Sequence, residues 1–271
     1  MYEQYWGLKE SPFNLTPDPR FLYLSRKHED ALMMLHYAIT RNKGAACLIG
    51  DIGFGKTTIS RKLLELLDPV QYKVVLIVNP LLSPIQMLKE ILTQLGVETS
   101  SRNRQALLHE LQTKLLSYYE GGQRVVVIVD EAHLIKSVAS LEELRLLLNC
   151  QMNDQFLLSL LLIGQIEMRK MIEKVPALKQ RLAVRYELQA LDQQETAEMI
   201  DYRLRAACFS SEQSPFSPDA VFEIHKYTNG CPRMVCQLAD NALMVAMAQK
   251  YQKIDGFAMH SIIQSFDGKE W

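Results

Sequence analysis

Five short apolar runs, separated by segments with helical spacing, constrain the fold of this chain more than any other feature. Most of the runs are apolar along their whole length, as is typical of strands buried on both faces. Strands joined through helices need crossover connections, which predict a parallel five-stranded sheet covered by helices in a three-layer α/β domain. The runs are ACLIG (46–50), KVVLIVNP (73–80), RVVVIVDE (124–131), FLLSLLLIG (156–164) and VRYEL (184–188), and helical segments are predicted near 56–67, 84–95, 103–120, 139–150 and 165–181.

The two ends of the chain depart from this pattern. From Asp192 onward the strand signals stop and helical spacing continues, so a small all-helical domain is predicted over 191–271. Asp192, with Glu195 three residues later, and Ser217 are predicted helix N-caps. Residues 1–27 have little helical periodicity and are predicted to form an extended segment packed on the core, which leaves 28–190 for the α/β domain. Packing is expected for most of the aromatic residues near the start, with lining of a nucleotide base as the open alternative: Tyr2, Tyr5, Trp6, Phe13, Phe21 and Tyr23.

Composition excludes several function classes. A net charge of −1 argues against a basic footprint over the whole surface, although a local patch for nucleic acid remains open. The five cysteines form no CxxC or His-paired metal spacing, and their odd number fits reduced thiols. Acidic residues and prolines replace the apolar core of a signal peptide, and FLLSLLLIG is too short to cross a bilayer. These features predict a soluble, cytoplasmic protein.

The stretch 50–57 matches the pattern G-x-x-x-x-G-K-[ST] between a predicted strand and a predicted helix. Spaced glycines allow backbone N–H groups to surround an anion, which the following helix also faces with its N-terminus. Lys56 can reach the β- and γ-phosphates of a nucleotide, and the Thr57 hydroxyl can ligate Mg²⁺. The pattern therefore predicts an ATP-binding loop formed by Gly50, Asp51, Ile52, Gly53, Phe54, Gly55, Lys56, Thr57 and Thr58.

A second motif, VVVIVDEAH, ends a predicted strand with two carboxylates. Ligands of doubly wound sheets bind at the carboxyl ends of the strands, so both groups are predicted to face the phosphate loop. Asp130 is predicted to hold Mg²⁺ through water, and Glu131 to activate the attacking water as general base. His133 completes a D-E-A-H tetrapeptide also found in helicases, but the C-terminal region predicts no second strand-rich motor domain. His133 is expected to be a supporting or helix-capping residue.

Four further polar residues are candidates for the site. Gln165, just past FLLSLLLIG, could orient the attacking water, and a solvent-facing glutamine is the open alternative. Arg181 and Arg185 lie at a helix end and a strand start, where either could reach the γ-phosphate of a neighbouring subunit as an arginine finger. Arg233, in the first turn of a predicted helix, is poorly placed for the helix dipole. This placement favours a partner among the nucleotide phosphates over a structural salt bridge.

The chain resembles a known family, the AAA+ ATPases of the ExeA type. These are also called general secretion pathway A proteins, and they have relatives in pilus biogenesis. The resemblance implies a P-loop NTPase core followed by a helical lid that moves on ATP turnover, and assembly into a homo-oligomeric ring, expected to be hexameric. It also implies site roles: Lys56 on phosphates, Thr57 and Asp130 at magnesium, Glu131 as base, Gln165 and Arg233 as first and second sensors, and Arg181 or Arg185 as finger. The segments that carry it are MYEQYWGLKESPF, PDPRFLYLSRKHEDAL, GDIGFGKTT, VVVIVDEAH, LLIGQIEMRKMI, QRLAVRY and NGCPRMV, which span almost the whole chain.

The expected function is an ATPase that couples ATP turnover to assembly of a cell-envelope secretion or pilus machine, with an inner-membrane component as partner. Long members of the family continue into a transmembrane helix and a periplasmic peptidoglycan-binding domain, whereas this sequence stops at Trp271. It is therefore expected to be a cytosolic fragment or a stand-alone short member, with the cytoplasmic face of the inner membrane as a further location.

Two alternatives stay open. The first is a DNA-associated AAA+ ATPase such as a transposition regulator, with basic clusters at 101–105 and 167–174 as a DNA track. The second is a regulatory switch that binds nucleotide and barely hydrolyses it, against which Glu131 argues.

Overall fold

A computed structural model describes residues 2–15, 18–152, 155–209 and 214–267 of the chain. The chain divides into two compact units. The first, called the sheet unit here, comprises residues 28–52 and 59–188. The second, called the helical unit, comprises residues 1–27, 53–58 and 189–271.

A five-stranded parallel sheet forms the centre of the sheet unit, and the predicted fold class is confirmed. β1 pairs with β6 and β7, and β3 pairs with β2 and β6. A separate antiparallel hairpin, of two residues per strand, was not predicted because such short strands show no alternation of apolar residues. In spatial order the sheet strands are β2 (Tyr72–Ile77), β3 (Arg124–Val129), β6 (Leu158–Gly164), β1 (Ala45–Gly50) and β7 (Leu182–Leu188), and the hairpin strands are β4 (Gln151–Met152) and β5 (Gln155–Phe156).

Burial explains the composition of the strands. Every residue of β1 and β6 is buried, as are Val125–Val129 of β3, so these central strands carry apolar side chains on both faces. β7 lies at the edge of the sheet and alternates instead, with Val184 buried and Arg185 and Glu187 exposed.

Among the described residues, seven α-helices connect these strands or precede them. The predicted helix over 165–181 is wrong as a single element, because Pro176 divides it in two. Proline has no N–H to donate and disfavours helical backbone at the residue before it. The helices are α2 (Arg26–Thr40), α3 (Lys56–Leu66), α4 (Pro84–Gln94), α5 (Arg104–Glu120), α6 (Val138–Leu147), α7 (Glu167–Glu173) and α8 (Pro176–Arg181).

Within the part of the helical unit that the structure describes, there are five further α-helices. Both predicted N-caps are confirmed: the Asp192 side chain accepts from the Glu195 N–H in a reciprocal capping box, and Ser217 accepts from the Ala220 N–H. Among the residues that the structure describes, no helix combines the length and apolar character that crossing a bilayer requires. The helices are α1 (Tyr2–Trp6), α9 (Gln193–Ala206), α10 (Pro218–Thr228), α11 (Pro232–Ala248) and α12 (Gly256–Asp267).

The N-terminal segment differs from its prediction in its conformation and in the unit on which it packs. The extended conformation is wrong for residues 2–6, which form α1, a helix too short to show a period in the sequence. Its aromatic residues pack into the hydrophobic core of the helical unit, and the indole N–H of Trp6 donates to the Leu243 carbonyl at 3.0 Å. Tyr5 stays exposed on the outside of the same helix. The buried aromatic residues are Tyr2, Trp6, Phe13 and Phe21.

Replacing Trp6 with alanine is expected to destabilise the helical unit by about 3–5 kcal/mol, because a large buried ring and its hydrogen bond are lost. The neighbouring Tyr5→Ala substitution is the matched control, with an expected cost of about 1 kcal/mol or less because Tyr5 is exposed. Urea unfolding followed by circular dichroism measures both. Equal midpoints for the two variants would contradict the packing role of α1.

Candidate nucleotide site

The carboxyl ends of three strands bring several of the predicted site residues of the sheet unit to one edge. Gly50 ends β1, Asp130 and Glu131 follow β3, and Gln165 follows β6. β6 lies between β1 and β3, and all three strands are parallel. Their carboxyl ends therefore face the same side, which is where ligands bind in open α/β sheets.

The predicted phosphate loop connects β1 to α3. Gly53 and Gly55 have φ values of 81° and 94°, in the left-handed region that glycine adopts without strain. Helix α3 begins at Lys56, so Lys56, Thr57 and Thr58 form its first turn. The first backbone N–H groups of an α-helix have no partner within the helix, and together with its dipole they favour an anion there. The local backbone thus has the form that the sequence pattern predicts.

The start of α11 packs against this loop within the helical unit. The backbone N–H of Arg233 donates to the Gly53 carbonyl at 3.3 Å. A Cβ atom added at Gly53 would lie 2.9 Å from both the Cys231 sulfur and the Arg233 Cβ. Arg233 is therefore a direct neighbour of the phosphate loop through its backbone, and its side chain is exposed. Its predicted contact with phosphate stays a prediction.

Cys231 is a neighbour of the loop that the sequence did not reveal. It is half-buried and occupies the N-cap position of α11. The other cysteine of this segment, Cys236, lies within the helix, and burial raises the pKa of its thiol. The segment NGCPRMV carried a signal, because a proline at the first helical position marks where a helix begins. Nothing in that segment indicates which loop the helix start touches.

The two carboxylates after β3 lie in different environments. Asp130 is buried, its backbone N–H donates to the Ile77 carbonyl, and its Oδ1 accepts the Glu131 N–H at 2.8 Å. Glu131 has a φ of 50°, which is uncommon for a residue other than glycine, and its side chain is 40% exposed. Such strained backbone is found at functional sites, where the surrounding structure maintains it. The two carboxylates are thus adjacent in the chain but differ in exposure and in backbone conformation.

His133 joins the ends of β3 and β6. Its Nδ1 lies 3.3 Å from Glu131 Oε2 and accepts the backbone N–H of Gln165 at 3.4 Å. The two loops approach closely, since a Cβ added at Gly164 would lie 3.1 Å from the His133 nitrogen. The supporting role predicted for His133 thus has a defined geometry. We call Glu131, His133 and Gln165 the edge cluster.

The two candidate finger arginines are not at this edge. Arg181 ends α8 just before β7 begins, at the opposite end of that strand from the nucleotide edge. Its Nη1 is buried and has no hydrogen-bond partner among the described residues. Arg185 lies on the exposed face of β7, and its guanidinium donates to the Lys179 carbonyl. A contact between either arginine and a γ-phosphate would have to be made to a neighbouring subunit.

The donor types present fit a magnesium ion that is bound together with a nucleotide. Thr57 offers a hydroxyl and Asp130 a carboxylate, and Mg²⁺ in such sites takes one or two protein oxygens and completes its shell with phosphate oxygens and water. Within residues 2–15, 18–152, 155–209 and 214–267, no group of three or more His, Cys, Asp or Glu side chains could hold a metal by itself. The magnesium ligands predicted from the sequence would therefore be only part of a coordination shell.

Comparison with known proteins agrees with this arrangement. Residues 39–172 match the family described as AAA domain. General secretion pathway protein A of Aeromonas hydrophila is 37% identical over 258 residues, which cover 94% of this chain and 46% of that protein. The chain thus spans about half the length of this curated relative.

Solved structures share the fold at low sequence identity. The ORC2 protein of Aeropyrum pernix, in ADPNP and ADP complexes, has a TM-score of 0.67 at 16% identity, covering 97% of this chain and 73% of that one. The ORC1 protein of the same organism, in complex with DNA, has a TM-score of 0.66 at 17% identity, covering 95% and 69%. A point mutant of the RuvB protein of Thermotoga maritima has a TM-score of 0.58 at 19% identity, covering 89% and 70%.

The sheet order, the loop after β1 and the acidic pair after β3 define a P-loop nucleotide-binding protein of the AAA+ class. Within that class, the chain belongs to the ATPases of the general secretion pathway protein A type, and the resemblance seen in the sequence is confirmed.

Gly53→Ala is expected to weaken nucleotide binding about tenfold, or about 1.4 kcal/mol, because the new methyl group pushes the loop away from the start of α11. Gly96→Ala is the matched control: its φ is 79°, and an added Cβ there meets nothing within 4 Å. Both variants should lose about 1–2 kcal/mol of stability through left-handed strain. Fluorescent-nucleotide titration and thermal unfolding separate the two effects, and unchanged affinity in Gly53→Ala would contradict the packing argument.

Proposed function

We propose that this chain binds Mg²⁺-ATP and hydrolyses it as a subunit of a homo-oligomeric ring, and that turnover drives assembly of a cell-envelope secretion or pilus machine. The observation that carries the proposal is the placement of Asp130 and Glu131 at the sheet edge where β1 enters the phosphate loop. The name of the Aeromonas hydrophila relative supports the secretion role, with an inner-membrane secretion or pilus component as partner.

The chemistry divides among residues according to their environments. Backbone N–H groups of the loop bind the phosphates, and Lys56 adds a point charge on the β- and γ-phosphates. Thr57 and Asp130 would hold the magnesium ion, which would supply positive charge to neutralise the phosphate oxygens. Asp130 suits this role because it is buried and already fixed by a backbone N–H. Glu131, whose side chain reaches solvent, accepts the proton of the attacking water.

Glu131→Gln is expected to lower the rate of ATP hydrolysis about 100- to 1,000-fold and to leave nucleotide binding intact, because an amide cannot take the proton from water. Lys56→Ala should instead lose binding. Glu142→Gln is the control, since the Glu142 side chain is also 40% exposed and forms its ion pair with Arg145. Phosphate release and nucleotide titration measure the two steps, and wild-type turnover in Glu131→Gln would remove the assigned base.

Ring assembly gives the finger arginines a role in a neighbouring subunit. Arg181 and Arg185 both lie away from the nucleotide edge of their own sheet, which supports action on another subunit. Sensor roles for Gln165 and Arg233 within one subunit belong to the same proposal. Arg233 is supported by its backbone contact with Gly53, and Gln165 by its place in the edge cluster.

Mixing two inactive variants tests the ring. The Glu131→Gln subunit keeps both finger arginines, and the Arg181→Ala or Arg185→Ala subunit keeps the general base. A mixture should therefore regain activity at interfaces where the arginine of a Glu131→Gln subunit faces the nucleotide site of a subunit with an intact Glu131. Loss of a finger alone should lower hydrolysis about 1,000-fold or more. Steady-state hydrolysis and light scattering with a non-hydrolysable ATP analogue measure recovery and mass. A monomeric mass with no recovery from either mixture would overturn ring assembly.

The DNA-associated alternative draws less support from the structure. Its proposed basic track includes Arg104, which donates two hydrogen bonds to the buried carboxylate of Glu143 at 2.8 and 3.1 Å. Arg169, in the second cluster, is paired with Glu187. Both guanidinium groups therefore serve contacts inside the sheet unit.

A further inference from the structure

His133 contacts both other members of the edge cluster, Glu131 and Gln165. Its ring nitrogen Nδ1 is 3.3 Å from the Glu131 carboxylate and 3.4 Å from the Gln165 backbone nitrogen. The His133 side chain is only 11% exposed, and its backbone is confined by the close approach of Gly164. The position of the ring is thus fixed by the two loops that carry it.

Nδ1 can satisfy only one of its two neighbours at a time. When Nδ1 carries a hydrogen it can donate to Glu131, and it cannot then accept the Gln165 N–H. When Nδ1 has no hydrogen it accepts the Gln165 N–H, and its lone pair faces the Glu131 carboxylate without an attractive contact. The two contacts are therefore mutually exclusive. The Glu131 carboxylate is held by His133 only when Nδ1 does not accept the Gln165 N–H.

Glu131 needs such a contact for its orientation. Its Oε2 is buried and has no hydrogen-bond partner among the described residues, and its backbone is in the left-handed region. A general base must lie within hydrogen-bond reach of the water that it activates, so a carboxylate that moves freely would be inefficient.

We propose that His133 is a positioning residue for Glu131. The His133 ring holds the Glu131 carboxylate when Nδ1 carries a hydrogen, and it releases the carboxylate when Nδ1 accepts the Gln165 N–H. The position of the base is thereby tied to the backbone at the end of β6. This inference rests on the proposed function, in which Glu131 is the general base.

Two conservative variants distinguish the ring nitrogens. An asparagine amide lies close to the position of Nδ1 and can donate or accept there, whereas a glutamine amide lies close to Nε2. His133→Asn is expected to keep the hydrolysis rate within about threefold, and His133→Gln to lower kcat roughly 10- to 100-fold, as loss of an orienting neighbour does at other polar sites. KM and nucleotide affinity should stay unchanged in both, since neither substitution alters the phosphate loop.

A double-mutant cycle with Glu131→Gln, measured in single turnovers with radiolabelled ATP, tests whether His133 acts through Glu131. Adding His133→Gln to Glu131→Gln should cause no further loss, whereas independent effects would multiply. Thermal unfolding of each variant identifies a structural effect, which would weaken binding and stability together. Wild-type kcat in His133→Gln, equal losses in both His133 variants, or multiplied losses in the cycle would each overturn the inference. Equal hydrolysis by wild type and Glu131→Gln would instead overturn the proposed function itself.

Discussion

Burial of the sheet on both faces is the constraint on which the rest of the structure depends. Val125–Val129 of β3 are completely buried, so a charged side chain within that strand would need a partner that the core does not offer. The first positions at which carboxylates can be placed are Asp130 and Glu131, where the strand ends. Because the strands are parallel, the equivalent position after β6 lies at the same edge and is occupied by Gln165. The polar site is thus a consequence of where the apolar runs stop.

The phosphate loop depends on a different constraint, the close approach of two backbones. Gly53 has no side chain, and the start of α11 uses the resulting space for Cys231 and Arg233. The hydrogen bond from the Arg233 N–H also occupies a loop carbonyl, which helps to orient the neighbouring peptide groups. Glycine at this position therefore serves two purposes, since it adopts the left-handed backbone that the loop needs and admits a helix terminus.

Much of this fold and part of the site could be predicted from local patterns in the sequence. Continuous apolar runs identified the sheet strands, and capping residues located the starts of α9 and α10. Pro176 is a local signal for the break between α7 and α8, whereas α1 is too short to show a helical period. Contacts between distant residues had no signal at all. His133 and Gln165 are 32 residues apart, and their contact depends on how closely β3 and β6 approach. Nor does any local pattern relate Cys231 to Gly53.

Asp130 and Glu131 show how adjacent residues of like charge come to lie in different environments. A strand that simply continued would direct their side chains to opposite faces, but the left-handed turn at Glu131 ends the strand there. Asp130 stays buried, with one oxygen fixed by a backbone N–H, which suits the magnesium-binding role proposed for it. The Glu131 side chain is 40% exposed and has one basic neighbour in the edge cluster, which suits the role of proton acceptor proposed for it. Different environments for paired carboxylates are a general way to divide acid–base roles. In this protein the two side chains differ in exposure, and the His133 ring lies between Glu131 and the backbone at the end of β6. The base proposed for water activation is therefore in contact with the loops that follow two neighbouring strands.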